Sequence, residues 1–165
     1  MASNPPSASP LFLREAEIRR GIELLFFGHA ELMGSVDAVL KHEGLGRAHH
    51  RALYFIARRP ELAVGELIAL LDITKQSLGR VLGELEERGM LVREPGRQDR
   101  RQVLLRLTEA GVALESELFA ALRGCMVEAY GAAGPGAVAG FWDVLEKLLP
   151  ADVGERAAGL SRPNR

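Results

Sequence analysis

At Gly89 the spacing of apolar residues changes from the period of a helix to that of a strand, and this change narrows the folds open to the chain. Before it, Leu78, Val81, Leu82 and Leu85 share one face of a helix predicted from Lys75 to Arg88, with Thr74 as N-cap and Gly89 at the C-cap position. After it, Met90 to Arg93 and Val103 to Leu107 read as two short strands around the polar tip EPGRQDRRQ, whose Pro95-Gly96 pair favours a turn. Upstream, residues 64–71 (VGELIALL) form a short helix that stops at Asp72, and Ile73 and Thr74 make the turn. Two short helices joined by a tight turn and followed directly by a hairpin make a winged helix-turn-helix.

The flanks are helical. Residues 1–10, rich in Pro, Ser and Ala, read as a disordered tail. From Leu11 to about Lys41, Ile18, Ile22, Leu25, Leu32, Met33, Val36 and Leu40 recur at helical spacing, with His29 on the same face. A helix of about 30 residues spans roughly 45 Å, too long to be satisfied by one compact chain, so a partner chain is expected to cover part of it. Gly44 and Gly46 break the pattern. Arg47 to Arg58 is a second helix with Leu53, Ile56 and Ala57 inward, Tyr54 and Phe55 widening its apolar surface, and Pro60 ending it. Thr108 caps a fifth helix up to about Tyr130, carrying Leu114, Leu118, Leu122, Cys125 and Met126; GAAGPGAVAG interrupts, and FWDVLEKLLP supplies a sixth ending at Pro150. The fold class expected is therefore mainly α with a small β-hairpin wing. It divides into a tail (1–10), an N-terminal dimerisation helix (11–45), a winged helix-turn-helix domain (46–108), C-terminal dimerisation helices (109–150) and a flexible tail (151–165).

Composition bounds what such a chain does. With 165 residues, 47% apolar and 26% charged, it has room for one domain with an appendage and is neither wholly disordered nor a large multidomain enzyme. Its apolar runs, Ala52 to Ala57 and Leu67 to Leu71, fall far short of the roughly 18 residues of a membrane span. The N-terminus lacks the basic and apolar regions of a secretory signal, so a cytoplasmic protein without a membrane partner is expected. One cysteine, Cys125, excludes an internal disulfide and a multi-cysteine zinc site. The net charge of −1 conceals an asymmetry: residues 74–106 hold 8 Lys/Arg against 5 Asp/Glu, a local +3, whereas 1–73 hold 8 against 9 and 107–165 hold 5 against 8. A polyanion would meet that basic surface and not the overall balance.

The DNA major groove accepts one α-helix, whose N-terminal residues reach base edges while amides and Lys/Arg side chains hold phosphates. Thr74, Lys75, Gln76, Ser77 and Arg80 are the residue types that task needs, although they also suit a solvated helix start. Arg97, Arg100 and Arg101 crowd the hairpin tip, where mutual repulsion is relieved by a polyanion and where Arg suits a narrow minor groove. Asp99 holds one of these arginines in place.

The run ITKQSLGRVLGELEERGMLVREPGRQDRRQVLLRLTEAG resembles the recognition helix and wing of the MarR family of bacterial regulators. The resemblance rests on Leu82-Leu85-Gly89 at the helix end, Asp99-Arg101 in the wing and Leu107-Thr108-Gly111 at the restart. GRAHHR followed by ITKQSLGRVL is similar to a branch labelled PetP. The resemblance covers about residues 11–150 in helix order, with specific matching concentrated in 62–111. It implies a homodimer that binds double-stranded DNA at a pseudo-palindrome, with helix 74–88 in the major groove, the wing 92–106 at the minor groove, and Asp99 orienting Arg101. It departs at Leu62-Ala63-Val64-Gly65, where the family often has Ser or Thr capping the third helix, and this puts a phosphate contact there in doubt.

The family it resembles usually responds to a ligand or oxidant that couples dimer geometry to DNA binding. For a small-molecule effector, His29, Met33 and Tyr54 are the candidates between the first two helices, and core or interface packing accounts for them equally. Cys125, late in the fifth helix on its apolar stripe, reads as a buried small hydrophobe. His42, Glu43, His49 and His50 form the one metal-like cluster. Adjacent histidines on a helix point about 100° apart, so solvent-facing or DNA-side histidines are expected and no metal or other cofactor is assigned. No nucleophile turn, glycine-rich phosphate loop or paired carboxylates suggest an enzyme. The alternatives to a regulator are a sequence-unspecific architectural protein and a helical interaction module without DNA binding.

Overall fold

A computed structural model describes residues 10–96 and 99–161. After a single 3-10 turn at Leu11–Leu13 come α1 (Glu15–His42), α2 (Arg47–Arg58), β1 (Leu62–Ala63), α3 (Val64–Leu71) and α4 (Lys75–Glu87). Strands β2 (Leu91–Pro95) and β3 (Val103–Leu107) follow, then α5 (Glu109–Ala133), α6 (Pro135–Leu148) and α7 (Ala151–Ser161). This is the winged helix-turn-helix with helical flanks that the apolar periodicity predicts.

The winged unit is built around one apolar core. Leu53 and Ile56 of α2, Leu67 and Leu71 of α3, and Leu78, Leu82 and Leu85 of α4 are almost wholly buried, together with Leu62, Leu91 and Leu105 of the sheet and Leu118 of α5. Val36 and Leu40 bring the C-terminal end of α1 into the same core. The sheet is antiparallel in the order β1-β3-β2, with Leu62 and Arg93 both opposite Leu105. The third strand, β1, is one that the sequence does not signal. It is two residues long and too short for a period to show, and it forms because β3 offers Leu104 and Leu105 as partners.

Two faces stay outside this core. Every residue of α1 from Glu15 to Glu31 is exposed, including Ile18, Ile22, Leu25, Phe26 and Phe27. No residue of α6 is buried, and Phe141, Trp142, Val144 and Leu148 stand in the open. Large apolar side chains are thus exposed at high density on both flanks.

Three boundaries differ from the sequence expectation. The first helix does not begin at Leu11: Arg14 is extended (ψ 145°), separating the 3-10 turn from α1. The GAAGPGAVAG stretch interrupts only at Gly134, whose φ of 81° ends α5, and Pro135 starts α6 at the position where a missing N–H costs nothing. Of the expected tail over 151–165, residues 151–161 are helical. Val153, Ala157 and Leu160 face Phe55 and Leu70 across a cavity of about 420 Å³, and Arg156 Nη1 donates to the Ala69 carbonyl at 2.7 Å. Glycines at 154 and 159 dilute the helical signal there, and a tertiary contact supplies what propensity lacks. Of the residues 1–10 read as a tail, all but Pro10 lie outside the described residues.

Candidate nucleic-acid interface

Thr74 caps α4 as expected: its Oγ1 accepts from the Ser77 amide at 3.1 Å and donates to the Ser77 hydroxyl at 2.9 Å. Because the apolar residues of α4 recur at 78, 81, 82 and 85, the helix turns Lys75, Gln76, Ser77 and Arg80 outward, and all four are exposed together with Thr74. The positive end of the helix dipole lies at this same exposed start. The start of the preceding α3 is capped differently. Ala63 is its N-cap, and the Glu66 carboxylate accepts from the Ala63 amide at 3.1 Å while pairing with Arg59 at 2.8 Å. A carboxylate thus already engages the N-cap amide of α3.

The electrostatics of residues 74–106 sort themselves by position. Arg93 pairs with Glu86 at 3.1 Å, and Arg106 pairs with Glu61 at 2.8 Å and Glu94 at 3.5 Å. Glu84 is taken by His49 at 2.8 Å. Lys75, Arg80, Arg100 and the Arg101 guanidinium have no ion-pair partner among the described residues. Most of the acidic charge is thus spent at the base of the wing and behind α4, which leaves cations at the helix start and the wing tip, an arrangement a polyanion could meet.

In the wing, the Asp99 carboxylate accepts from the backbone amide of Arg101 at 2.9 Å. It therefore orients Arg101 through its main chain and not by pairing with its guanidinium, which stays available. Gly96 donates its amide to the Gln102 carbonyl at 2.9 Å, and a Cβ at Gly96 would stand 2.5 Å from the Asp99 carbonyl oxygen. The turn can close this tightly only over a glycine. Arg97, also expected at the interface, lies outside the described residues.

The other candidates fall elsewhere. His42 is exposed beside Glu43 at 3.0 Å, but His49 and His50 are not the solvent-facing or DNA-side residues expected. His49 bridges to α4. His50 is only 5% exposed, has no hydrogen-bond partner on either ring nitrogen among the described residues, and stands edge-on to Tyr54 at 6.5 Å. Burial holds its pKa below the usual histidine value. Among the described residues no group of three or more His, Cys, Asp or Glu is placed to hold a metal. Of the effector candidates, His29 is exposed while Met33 and Tyr54 are half-buried, and the 420 Å³ cavity under α7 is lined by other residues. Cys125 is half-buried. No helix of the described residues is long and apolar enough to cross a membrane.

Sequence reasoning passes over the contacts of Glu84 and Arg88 with the corner between α1 and α2. Arg88 Nη1 donates to the Glu43 carbonyl at 2.6 Å, so residues 45 positions apart meet behind α4. No local period encodes that pairing.

The sequence profile described as the MarR family matches residues 43–102. The chain is 47% identical over 145 residues to the HTH-type transcriptional regulator PetP of Rhodobacter capsulatus, covering 88% of this chain and 87% of that protein. In structure it is similar to a mutant of MarR from E. coli complexed with operator DNA (TM-score 0.65, 24% identity, 86% of this chain and 100% of that one). It is also similar to NadR in complex with 4-hydroxyphenylacetate (TM-score 0.67, 24% identity, 90% and 97%).

Proposed function

The chain belongs to the MarR family of transcriptional regulators, in its PetP-like branch, and from this premise we propose that it is a homodimer that reads a pseudo-palindromic operator. In this reading residues 74–88 enter the major groove, with Gln76 and Ser77 at base edges and Lys75 and Arg80 spanning bases and phosphate. The wing, residues 92–106, lies at the minor groove through Arg97, Arg100 and Arg101, with Asp99 holding the turn. The reading belongs to a regulator and calls for no bond chemistry.

The observation that carries it is the separation of charge: exposed cations without an ion-pair partner among the described residues line the start of α4 and the wing tip, while neighbouring arginines further back are neutralised by Glu61, Glu86 and Glu94. The dimer is supported by the open apolar faces of α1 and α6, where Ile22, Phe27, Phe141 and Trp142 stay exposed among the described residues. A homodimer places two such units on DNA, and half-sites about one helical turn apart then mirror its two-fold symmetry. A small-molecule effector is assigned to the surface of His29, Met33 and Tyr54, where Tyr54 adjoins the unpartnered imidazole of His50. The cytoplasm, where operator DNA lies, is the compartment this reading requires.

Fluorescence anisotropy on a duplex from the chain's own upstream region and on a scrambled duplex, across a salt series, tests the reading. A regulator binds the first roughly a thousandfold or more tighter. Equal, steeply salt-dependent binding identifies an architectural protein, and no binding at low salt leaves an interaction module.

A further inference from the structure

Behind the recognition helix, three polar contacts join α4 to the corner between α1 and α2, and the proposed DNA contacts do not use them. His49 Nε2 lies 2.8 Å from Glu84 Oε2. Arg88 Nη1 donates to the Glu43 carbonyl at 2.6 Å, and its Nη2 to the Gly44 carbonyl at 3.4 Å. The corner is itself braced by Arg47, which donates twice to Asp37, at 2.9 and 2.7 Å, and holds that carboxyl below the usual carboxylate range.

Two hydrogen bonds select one tautomer of the neutral ring. The Gly46 amide donates to His49 Nδ1 at 3.1 Å, so Nδ1 carries no proton. The single ring proton then sits on Nε2 and is donated to Glu84. With its side chain 12% exposed, the imidazole is a short directional strut from the start of α2 to the last turn of α4.

We propose that His49, Glu84 and Arg88 are positioning residues for operator recognition, setting the rotation and tilt of α4 relative to the dimerisation helix; the proposal rests on the DNA-reading function above. Leu78, Val81, Leu82 and Leu85 hold α4 on the core, but apolar contact is not directional. Glu84 and Arg88 continue, at steps of four, the series that begins with Gln76 and Arg80. Two directional ties four residues apart, about 6 Å along the axis, fix the orientation that the apolar face leaves free. A turn of about 10° moves a side chain at a radius of roughly 6 Å by about 1 Å, which is outside the tolerance of a well-placed recognition group. The other end of each tie lies where α1 gives way to α2, and α1 carries the open face assigned to the second copy. The spacing of the two reading helices in the dimer therefore passes through this clasp.

The test compares Glu84→Ala with Glu84→Gln in the full chain, on the upstream duplex and the scramble, over a salt series. Both variants remove an acidic charge, so both bind the scramble at least as well as the parent does. Only Gln keeps an acceptor for His49 Nε2–H. Glu84→Ala is expected to lose about tenfold on the upstream duplex with an unchanged salt slope, and Glu84→Gln to stay within about twofold of the parent. Equal behaviour of the two variants, or loss by the same factor on both duplexes, overturns the proposal. Should Glu84→Ala melt below the assay temperature, Arg88→Ala against Arg88→Lys decides by the same criterion, since Lys keeps one donor for Glu43. A parent that fails to discriminate the duplexes overturns the regulator reading and the clasp with it. A discriminating parent with an unaffected Glu84→Ala overturns the clasp alone.

Discussion

The Thr108 hydroxyl donates to the carbonyl of Gly89 at 2.6 Å while accepting from the amide of Gly111 at 3.2 Å, so one side chain closes the recognition helix and opens α5. The base of the wing is thereby a fixed loop. A Cβ at Gly111 would overlap the Met90 carbonyl oxygen, which also accepts from the Thr108 amide at 3.1 Å. The Leu-Thr-x-x-Gly spacing is the signature of this junction.

Thr108→Val removes both side-chain bonds and is expected to lower stability by about 1–2 kcal/mol, whereas Thr108→Ser keeps them. Gly111→Ala forces the helix start off the Met90 backbone and is expected to cost more, about 2–3 kcal/mol. Urea titrations order the three variants, and a Gly111→Ala as stable as the parent would contradict the close approach.

Arg101→Ala is expected to weaken binding to every duplex and to reduce the salt slope by about one unit, the mark of a lost phosphate contact. Gln76→Ala should instead change base preference with little change in slope. Because Asp99 acts on the Arg101 amide, Asp99→Asn should bind nearly as the parent does. Parent-like binding by both alanine variants would remove the assigned groove contacts.

Light scattering on the purified chain should report a dimer. Ile22→Glu combined with Leu25→Glu places charge on the open face of α1 and should yield a monomer with the helical content of the winged unit intact. A dimer that survives the double substitution places the interface elsewhere.

The buried His50 makes stability depend on pH. Its folded pKa lies below the ordinary 6.5, so the unfolded chain binds the proton first as pH falls. Stability is then lost progressively from about pH 6.5 downward until the folded value is passed. Glu115, raised by burial with a smaller opposing effect from Arg58, acts in the opposite sense above 4.5 and is common to parent and variant. His50→Leu should therefore melt higher than the parent, and by a larger margin at pH 5 than at pH 8. A margin independent of pH would show that His50 is already charged or solvated in the fold.

Truncation after Leu149 removes the bonds from Arg156 to Ala69 and from Arg58 to Leu160. Hydrogen exchange should speed up at the end of α3 while the dimer persists. Unchanged protection of Ala69 to Leu71 would mean that α7 does not brace the winged unit.

The elements that proved legible are those whose signal is local. Leu78, Val81, Leu82 and Leu85 announce α4, Thr74 and Gly89 bound it, and Pro95-Gly96 marks the turn of the wing. The outward residues of the interface follow from the inward ones, because a helix that buries one stripe exposes the other. What stayed illegible depended on partners far along the chain: β1 pairs with β3, α7 packs against α2 and α3, and His49 finds Glu84 across 35 residues.

By itself, then, the sequence determined a winged helix-turn-helix with helical flanks and named the cations at the start of α4 and the wing tip, since periodicity, caps and turn residues act over a few residues. Tertiary structure decided which charges remain free and what orients them. Whether Arg80 stays open while Arg88 is bound to Glu43 is a question of which groups the packed helices bring within 3 Å, and no spacing along the chain encodes that distance.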